Sequence, residues 1–284
     1  MNKIGLIIPL ETYFFSQWRH NYYFTELLRG TIAAASLFEW NILIYHRNVE
    51  NAGDYVSFCA QEKVKGVVIL APLFKEEDIK QVKLIEVPVI TVNSRYPEIS
   101  FVDADNARGA FEAVNYLIEL GHKKIAVING KISSTNGQHR FSGYKKAMSE
   151  NGIKTEDRLI RYGDYSEDSG YFEMSDIISE CSEEGGLPTA VFCANDLIAM
   201  GAMRAANEKG IKVPEELSVI GFDDLIISGY LNPPLTTVRQ QLFHLGKEAV
   251  ITLIGIIHEE KEAYQEVEVE TRLIKRASVA APKK

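Results

Sequence analysis

The chain has 284 residues, too many for one small core and a natural length for two α/β lobes of roughly 100 to 150 residues each. Hydrophobic residues make up 46% and charged residues 25%, a globular balance that argues against disorder. With 31 Lys+Arg against 39 Asp+Glu the net charge is −8, so the chain has no global attraction for phosphate, and nucleic-acid binding would need a local basic patch or another segment.

The opening run "IGLIIPL" is short, contains a proline and reads as a strand rather than a secretory leader. No apolar stretch approaches the ~18 residues of a membrane span. Cys59, Cys181 and Cys193 are odd in number, widely spaced and form no CxxC, which points to reduced thiols in a cytoplasmic protein. Cys193, inside "TAVFCAND", reads as a small buried strand residue.

From residue 3 a short apolar run and a helical period alternate. "KIGLII" (3–8) precedes a helix near 23–39, with Phe24, Leu27, Leu28, Thr31, Ile32, Ala35 and Phe38 on one stripe. "NILIYH" (41–46) leads to a helix near 52–62, "GVVILA" (66–71) to one near 76–85, and "PVITV" (88–92) continues the series. A helix at 106–120 follows, stopped by Gly121 acting as a left-handed cap. The pattern restarts with "KIAVIN" (124–129), a helix near 138–151, "RLIRY" (158–162), a helix near 167–182, "TAVFCA" (189–194), a helix at 196–209 and "LSVIGF" (217–222). After "TTVRQ" (236–240) come a helix at 242–258 and a last run, "EVEVETRLIKR" (266–276). Continuous β-branched runs alternating with helices predict α/β architecture: two doubly wound parallel-sheet lobes. No linker-like stretch separates the halves, which predicts lobes joined by several crossing strands.

In doubly wound sheets, ligands bind beyond the carboxyl ends of the strands. That rule selects Asn195 and Asp196, Asp223 and Asp224, the segment from Tyr162 to Tyr165, and Arg140 where its helix begins. These groups suit a small polyol: carboxylates accept from hydroxyls, Arg and Asn donate in planar pairs, and an aromatic face stacks on sugar C–H. Asp196 reads more simply as a helix N-cap and Asp224 as a cap or turn residue. Catalytic and metal signatures are missing: the six His show no HxxxH or HExxH spacing, and no GxSxG, GxxxxGK[ST] or GxGxxG occurs. No enzymatic activity, cofactor or metal is expected.

Several stretches, "VDADNARGAFEAVNYLIELGHKKIAVING", "RFSGYKKAM", "PTAVFCANDLIAMGAMRAANEKGIKVPEELSVIGFDD", "NPPLTTVRQ" and "ETRLIKRAS", resemble in order and spacing the effector-binding region of lactose/galactose-repressor (LacI/GalR) family transcriptional regulators. The resemblance covers almost the whole chain. It implies a periplasmic-binding-protein-like pair of lobes joined by three crossover strands: residues 1–120 with 242–270, and 121–241 with 271–284. It also implies a small-molecule effector, a sugar or similar small polar molecule, held between the lobes of a homodimer whose hinge motion biases operator DNA binding. Carried over by position, Arg140, Asn195 and Asp223 match the family's polar ligand contacts, and Tyr165 its aromatic ligand-packing position. Arg108 and Leu242 match positions that line the cleft. The runner-up is a transport-type sugar-binding protein of the same fold; a leader-free start, free thiols and "TRLIKRAS" count against it.

The chain departs from the family pattern in two places. Its first strand starts at residue 3, so the family's helix-turn-helix is expected to be absent and the chain to be a piece of a regulator. "NYYFTELLRG" (21–30) resembles the start of the family's first helix, yet eleven residues stand between Pro9 and Asn21, more than the family's usual loop. This aromatic insertion reads either as a loop over the ligand entrance, with Tyr13, Phe14, Phe15 or Trp18 touching the ligand and Tyr23 facing either way, or as packing on its own lobe or at a dimer contact.

Overall fold

The computed structural model describes residues 2–8, 22–46, 55–183 and 186–283. The chain divides into two compact units, Met1–Ala104 with Gln241–Val269, and Asp105–Gln240 with Glu270–Lys284. It passes from one to the other three times.

The first unit holds β1 (Lys3–Ile8), β2 (Asn41–His46), β3 (Gly66–Leu70), β4 (Val89–Val92), β5 (Ser100–Ala104) and β11 (Glu266–Val269). They form one parallel sheet in the order β11-β5-β4-β3-β1-β2. Its described helices are α1 (Tyr22–Leu37), α2 (Tyr55–Glu62), α3 (Glu76–Lys83) and α8 (Leu242–Ile257). Alternation along the strands feeds two cores. Ile4, Leu6, Ile8, Val68 and Leu70 pack with residues of α1 and α8, while Ile7, Val67 and Ile69 pack with residues of α2 and α3.

The buried face of α1 differs from the expected stripe. Phe24, Leu27, Thr31 and Ala35 are buried as expected, but Ile32 and Phe38 are exposed, and Gly30 and Ala34 are buried in their place. The cause is a close crossing with α8: a Cβ on Gly30 would lie 1.9 Å from the Phe243 carbonyl oxygen, and one on Gly246 2.1 Å from that of Leu27. Backbone meets backbone there, so small residues rather than large apolar ones set the contact face.

The second unit holds β6 (Ile125–Asn129), β7 (Ile160–Tyr162), β8 (Ala190–Cys193), β9 (Ser218–Asp223), β10 (Thr236–Arg239) and β12 (Arg272–Ile274). The order is β12-β10-β9-β8-β6-β7, parallel except for β12, which runs antiparallel to β10. Its helices are α4 (Asn106–Glu119), α5 (Thr135–Glu150), α6 (Glu167–Glu183) and α7 (Asp196–Glu208). Cys193 is a buried residue of β8.

The division corrects the expected boundary. α4, read as part of the N-terminal lobe, belongs to the second unit: Ala110, Val114 and Leu117 share a core with Val127, Phe192 and Phe222. A Cβ on Gly143 of α5 would lie 2.2 Å from the Ala107 carbonyl oxygen, so α4 and α5 touch closely. The strand missing from the sequence reading, β5, explains the shift, because the chain leaves it at Ala104 and enters the second unit. The run at 266–276 likewise splits, β11 serving the first sheet and β12 the second. Gly121 takes a φ of 104°, in keeping with its expected capping role. Among the described residues no helix is long and apolar enough to cross a membrane.

Candidate functional site

At the carboxyl edge of the second sheet, β6 ends at Asn129, β8 at Cys193, β9 at Asp223 and β10 at Arg239. Polar residues just at or beyond these ends are buried, which is costly unless each is partnered.

Arg140 enters this edge from α5, whose N-cap is Ser134, accepting from the Gly137 N–H at 3.3 Å. Only 2% exposed, Arg140 donates from Nε to Asn106 Oδ1 (2.8 Å) and from Nη1 to the Ala194 carbonyl. Its guanidinium carbon lies 4.0 Å from the centroid of the Phe222 ring, and Nη1 is 3.6 Å from Asp223 Oδ1. Asp223 ends β9 with φ 118° and is 6% exposed; its Oδ1 accepts from Gln240 Nε2. Burial pushes the Asp223 carboxyl above the usual carboxylate range, while Arg140 and Gln240 pull it back. Arg140 Nη2 and Asp223 Oδ2 have no hydrogen-bond partner among the described residues. One donor and one acceptor therefore stand uncommitted on two nearly buried charged groups.

The helix cap expected at Asp196 falls one residue earlier, on Asn195. Asn195 is the N-cap of α7: its Oδ1 accepts from the Ile198 N–H (2.9 Å), and its Nδ2 donates to the Tyr165 carbonyl (3.0 Å). Asp196 is not the cap. Fully buried, its Oδ2 accepts from the Leu225 N–H (2.8 Å) and Ser228 Oγ (2.5 Å), and its Oδ1 from Thr237 Oγ1. Burial and the neighbouring Asp223 push its carboxyl up, against those three donors. Asp224 is a turn residue at φ 58°, bridged to Arg239 at 2.6 Å and Arg276 at 2.5 Å.

Tyr165, at φ 73°, lays its ring against the backbone of Gly130, where a Cβ would come within 2.0 Å of the ring. Its hydroxyl donates to Ser134 Oγ (2.9 Å), and burial pushes that hydroxyl's pKa up, with Arg140 and Asp223 close enough to act on it. The structure thus brings Arg140, Asn195, Asp223 and Tyr165 to one edge.

Arg108 does not join them. It is exposed on α4 and pairs with Glu112 (2.8 Å) and Glu270 (3.9 Å). Leu242 belongs to the first unit's apolar core with Leu27 and Leu245. Tyr23 sits at the carboxyl edge of the first sheet, its hydroxyl accepting from the amide of buried Asn93, just past β4. Tyr13, Phe14, Phe15 and Trp18 lie outside the described residues.

The site also contains residues the sequence reading passed over. Asn106 links Arg140 to Asn136 (3.4 Å), and Gln240 bonds Asp223. Gln240 and Asn129 fall at strand carboxyl ends, so the rule that selected Asp223 would have selected them. Asn106 carried no such signal, because it opens a helix assigned to the other lobe.

A two-lobed, doubly wound fold with a buried charged pair at a strand edge defines the periplasmic-binding-protein class of small-ligand receptors, and a family model described as a periplasmic binding protein-like domain matches residues 114–279. The HTH-type transcriptional repressor PurR of Escherichia coli O1:K1 is 38% identical over 237 residues, covering 82% of this chain and 68% of PurR. A transcriptional regulator CelR–cellobiose complex is similar with a TM-score of 0.89 at 26% identity, covering 98% of this chain and 84% of that one. A LacI family transcriptional regulator from Enterococcus faecium with bound ribose gives 0.81 at 26% identity, over 99% and 100% of the two chains. The chain belongs to the LacI family of transcriptional regulators and comprises that family's effector-binding region.

Proposed function

We propose that the effector is a sugar or a similarly small polar molecule gripped by the Arg140–Asp223 pair. The observation that carries this reading is the uncommitted Nη2 donor and Oδ2 acceptor on two side chains 3% and 5% exposed, a donor and an acceptor that a hydroxyl-bearing ligand can satisfy. Relatives crystallised with cellobiose and ribose support the chemistry. Asn195 and Tyr165 shape the edge, Asn195 largely through the helix it caps. In a regulator related to PurR, effector occupancy would bias operator binding in the cytoplasm rather than drive a reaction. Calorimetry with cellobiose and ribose tests the site: Asp223→Ala is expected to weaken binding about tenfold or more, the worth of a hydrogen bond to a charged group. Equal affinity in both proteins would remove Asp223 from the site.

The working assembly is a homodimer. Support comes from large apolar side chains left on the surface, Ile32 and Leu37 on α1, Ile44 on edge strand β2, and Ile226 and Tyr230 after β9. Sedimentation at micromolar concentration is expected to give a dimer, and a strict monomer would instead favour the transport-type reading.

A further inference from the structure

Gln240 is fully buried, and the two ends of its amide are treated unequally. Nε2 donates to Asp223 Oδ1, while Oε1 has no hydrogen-bond partner among the described residues. Rotating the amide by half a turn would set its oxygen against the carboxylate, two acceptors facing each other, so Asp223 dictates which end is orphaned. An apolar side chain of similar volume would avoid the orphan at no cost in packing. What such a residue could not do is hold Asp223.

The carboxylate needs holding. Asp223 closes β9 at φ 118°, outside the regular strand region, and its nearest cation, Arg140, stands 3.6 Å away rather than at contact. The charged and titratable groups around it are Arg140 from α5, Asp196 from α7 and the Tyr165 hydroxyl from the loop before α6; Arg239 of β10 stands opposite it in register but pairs with Asp224, and the neutral Gln240 follows just past β10. Among the described residues Gln240 is thus the one donor bonded to the Asp223 side chain.

We propose that Gln240 is a positioning residue for effector recognition: its Nε2 fixes Oδ1 of Asp223, which keeps that group ionised and leaves Oδ2 turned to a donor hydroxyl of the ligand. This rests on the reading that the Arg140–Asp223 pair grips the effector. The orphaned Oε1 is the structural cost of that arrangement, so Gln240→Leu should fold at least as well as the wild type while recognising ligand less well. Packing alone predicts the opposite ordering.

The test separates the two readings. Carboxyl 13C NMR titration of the wild type and Gln240→Leu, with the Asp223 signal assigned through Asp223→Asn, is expected to show the Asp223 midpoint raised by about one pH unit in the variant, the scale of a lost hydrogen bond to the charged form. An unchanged midpoint overturns the proposal. Gln240→Met, also without a donor, repeats the titration if Gln240→Leu fails to fold. Calorimetry with ribose and cellobiose from pH 5 to 9 adds a second readout. Binding by Gln240→Leu should fall about tenfold near pH 6 and recover in part at high pH as Asp223 ionises; a loss of equal size at every pH would mean packing and overturn it. If the wild type binds neither sugar, these two sugars are ruled out as effectors, and the NMR titration alone decides the role of Gln240.

Discussion

Asp196→Ala is expected to cost about 3–5 kcal/mol of stability, because it strands three donors in a buried setting. The carboxylate receives three donors in a fully buried setting: the Leu225 N–H and Ser228 hydroxyl on Oδ2, and the Thr237 hydroxyl on Oδ1. Two of them can rotate toward other acceptors. The Leu225 N–H cannot, and it sits just past Asp223 and Asp224, so the turn over 226–229 would lose its anchor. Opposing this is relief of the repulsion between Asp196 and Asp223, which pushes the Asp196 carboxyl up. That relief is smaller at pH 7, because the Asp196 carboxyl, pushed up to about 8, carries little charge there, whereas the orphaned donors remain. Asp196→Asn keeps one carbonyl acceptor and should lose less than half as much. Urea unfolding at pH 7 measures both, and hydrogen exchange at Leu225 should accelerate in the Ala variant. A loss below about 1 kcal/mol for Asp196→Ala would mean that the three donors find other partners.

The contrast between Asp196 and Asn195 shows where sequence reasoning reaches its limit. Strand runs such as "KIGLII" and "TAVFCA" announced themselves, because a doubly wound sheet buries both faces and leaves β-branched runs unbroken. The edge carrying Arg140, Asn195 and Asp223 was legible too, through the carboxyl-end rule and the family resemblance. The cap was not. Asn and Asp are equally good N-caps, and which one occupies the position depends on where the helix starts, a matter of one residue. β5 escaped for another reason: "SFVDA" buries Asp103, whose carboxylate is satisfied by Arg95 at 2.6 Å, a partner that no local pattern reveals. The α1 stripe was drawn too far toward Ile32 and Phe38 because helical periodicity weighs large apolar residues, whereas Gly30 and Gly246 decide the crossing by having no side chain at all.

Arg140→Met should show what the pair at the strand edge does for the fold as well as for the ligand. The guanidinium is the only cation facing Asp223 in the described residues, and its removal leaves that buried carboxylate with no compensating charge. Breaking a buried pair from one side typically costs about 3–5 kcal/mol. The loss should depend on pH in a defined direction. A carboxyl group whose folded value lies above its unfolded value of about 3.9 contributes stability that is present below that pH and lost as pH rises through the folded value. Asp223 already belongs to this class, and without Arg140 its folded value moves further up. The deficit of Arg140→Met should therefore be small near pH 4 and reach its full size by pH 7 to 8. Adding Asp223→Asn should recover about 1–3 kcal/mol at pH 7, since the second change removes the charge that the first left unpaired. Denaturant unfolding of the four proteins at pH 4, 6 and 8 measures the coupling. A deficit that stays flat across this range, or a double variant no more stable than Arg140→Met, would show that Arg140 holds the edge by its bonds to Asn106 and Ala194 and its stacking on Phe222, and that its charge matters only once a ligand is present.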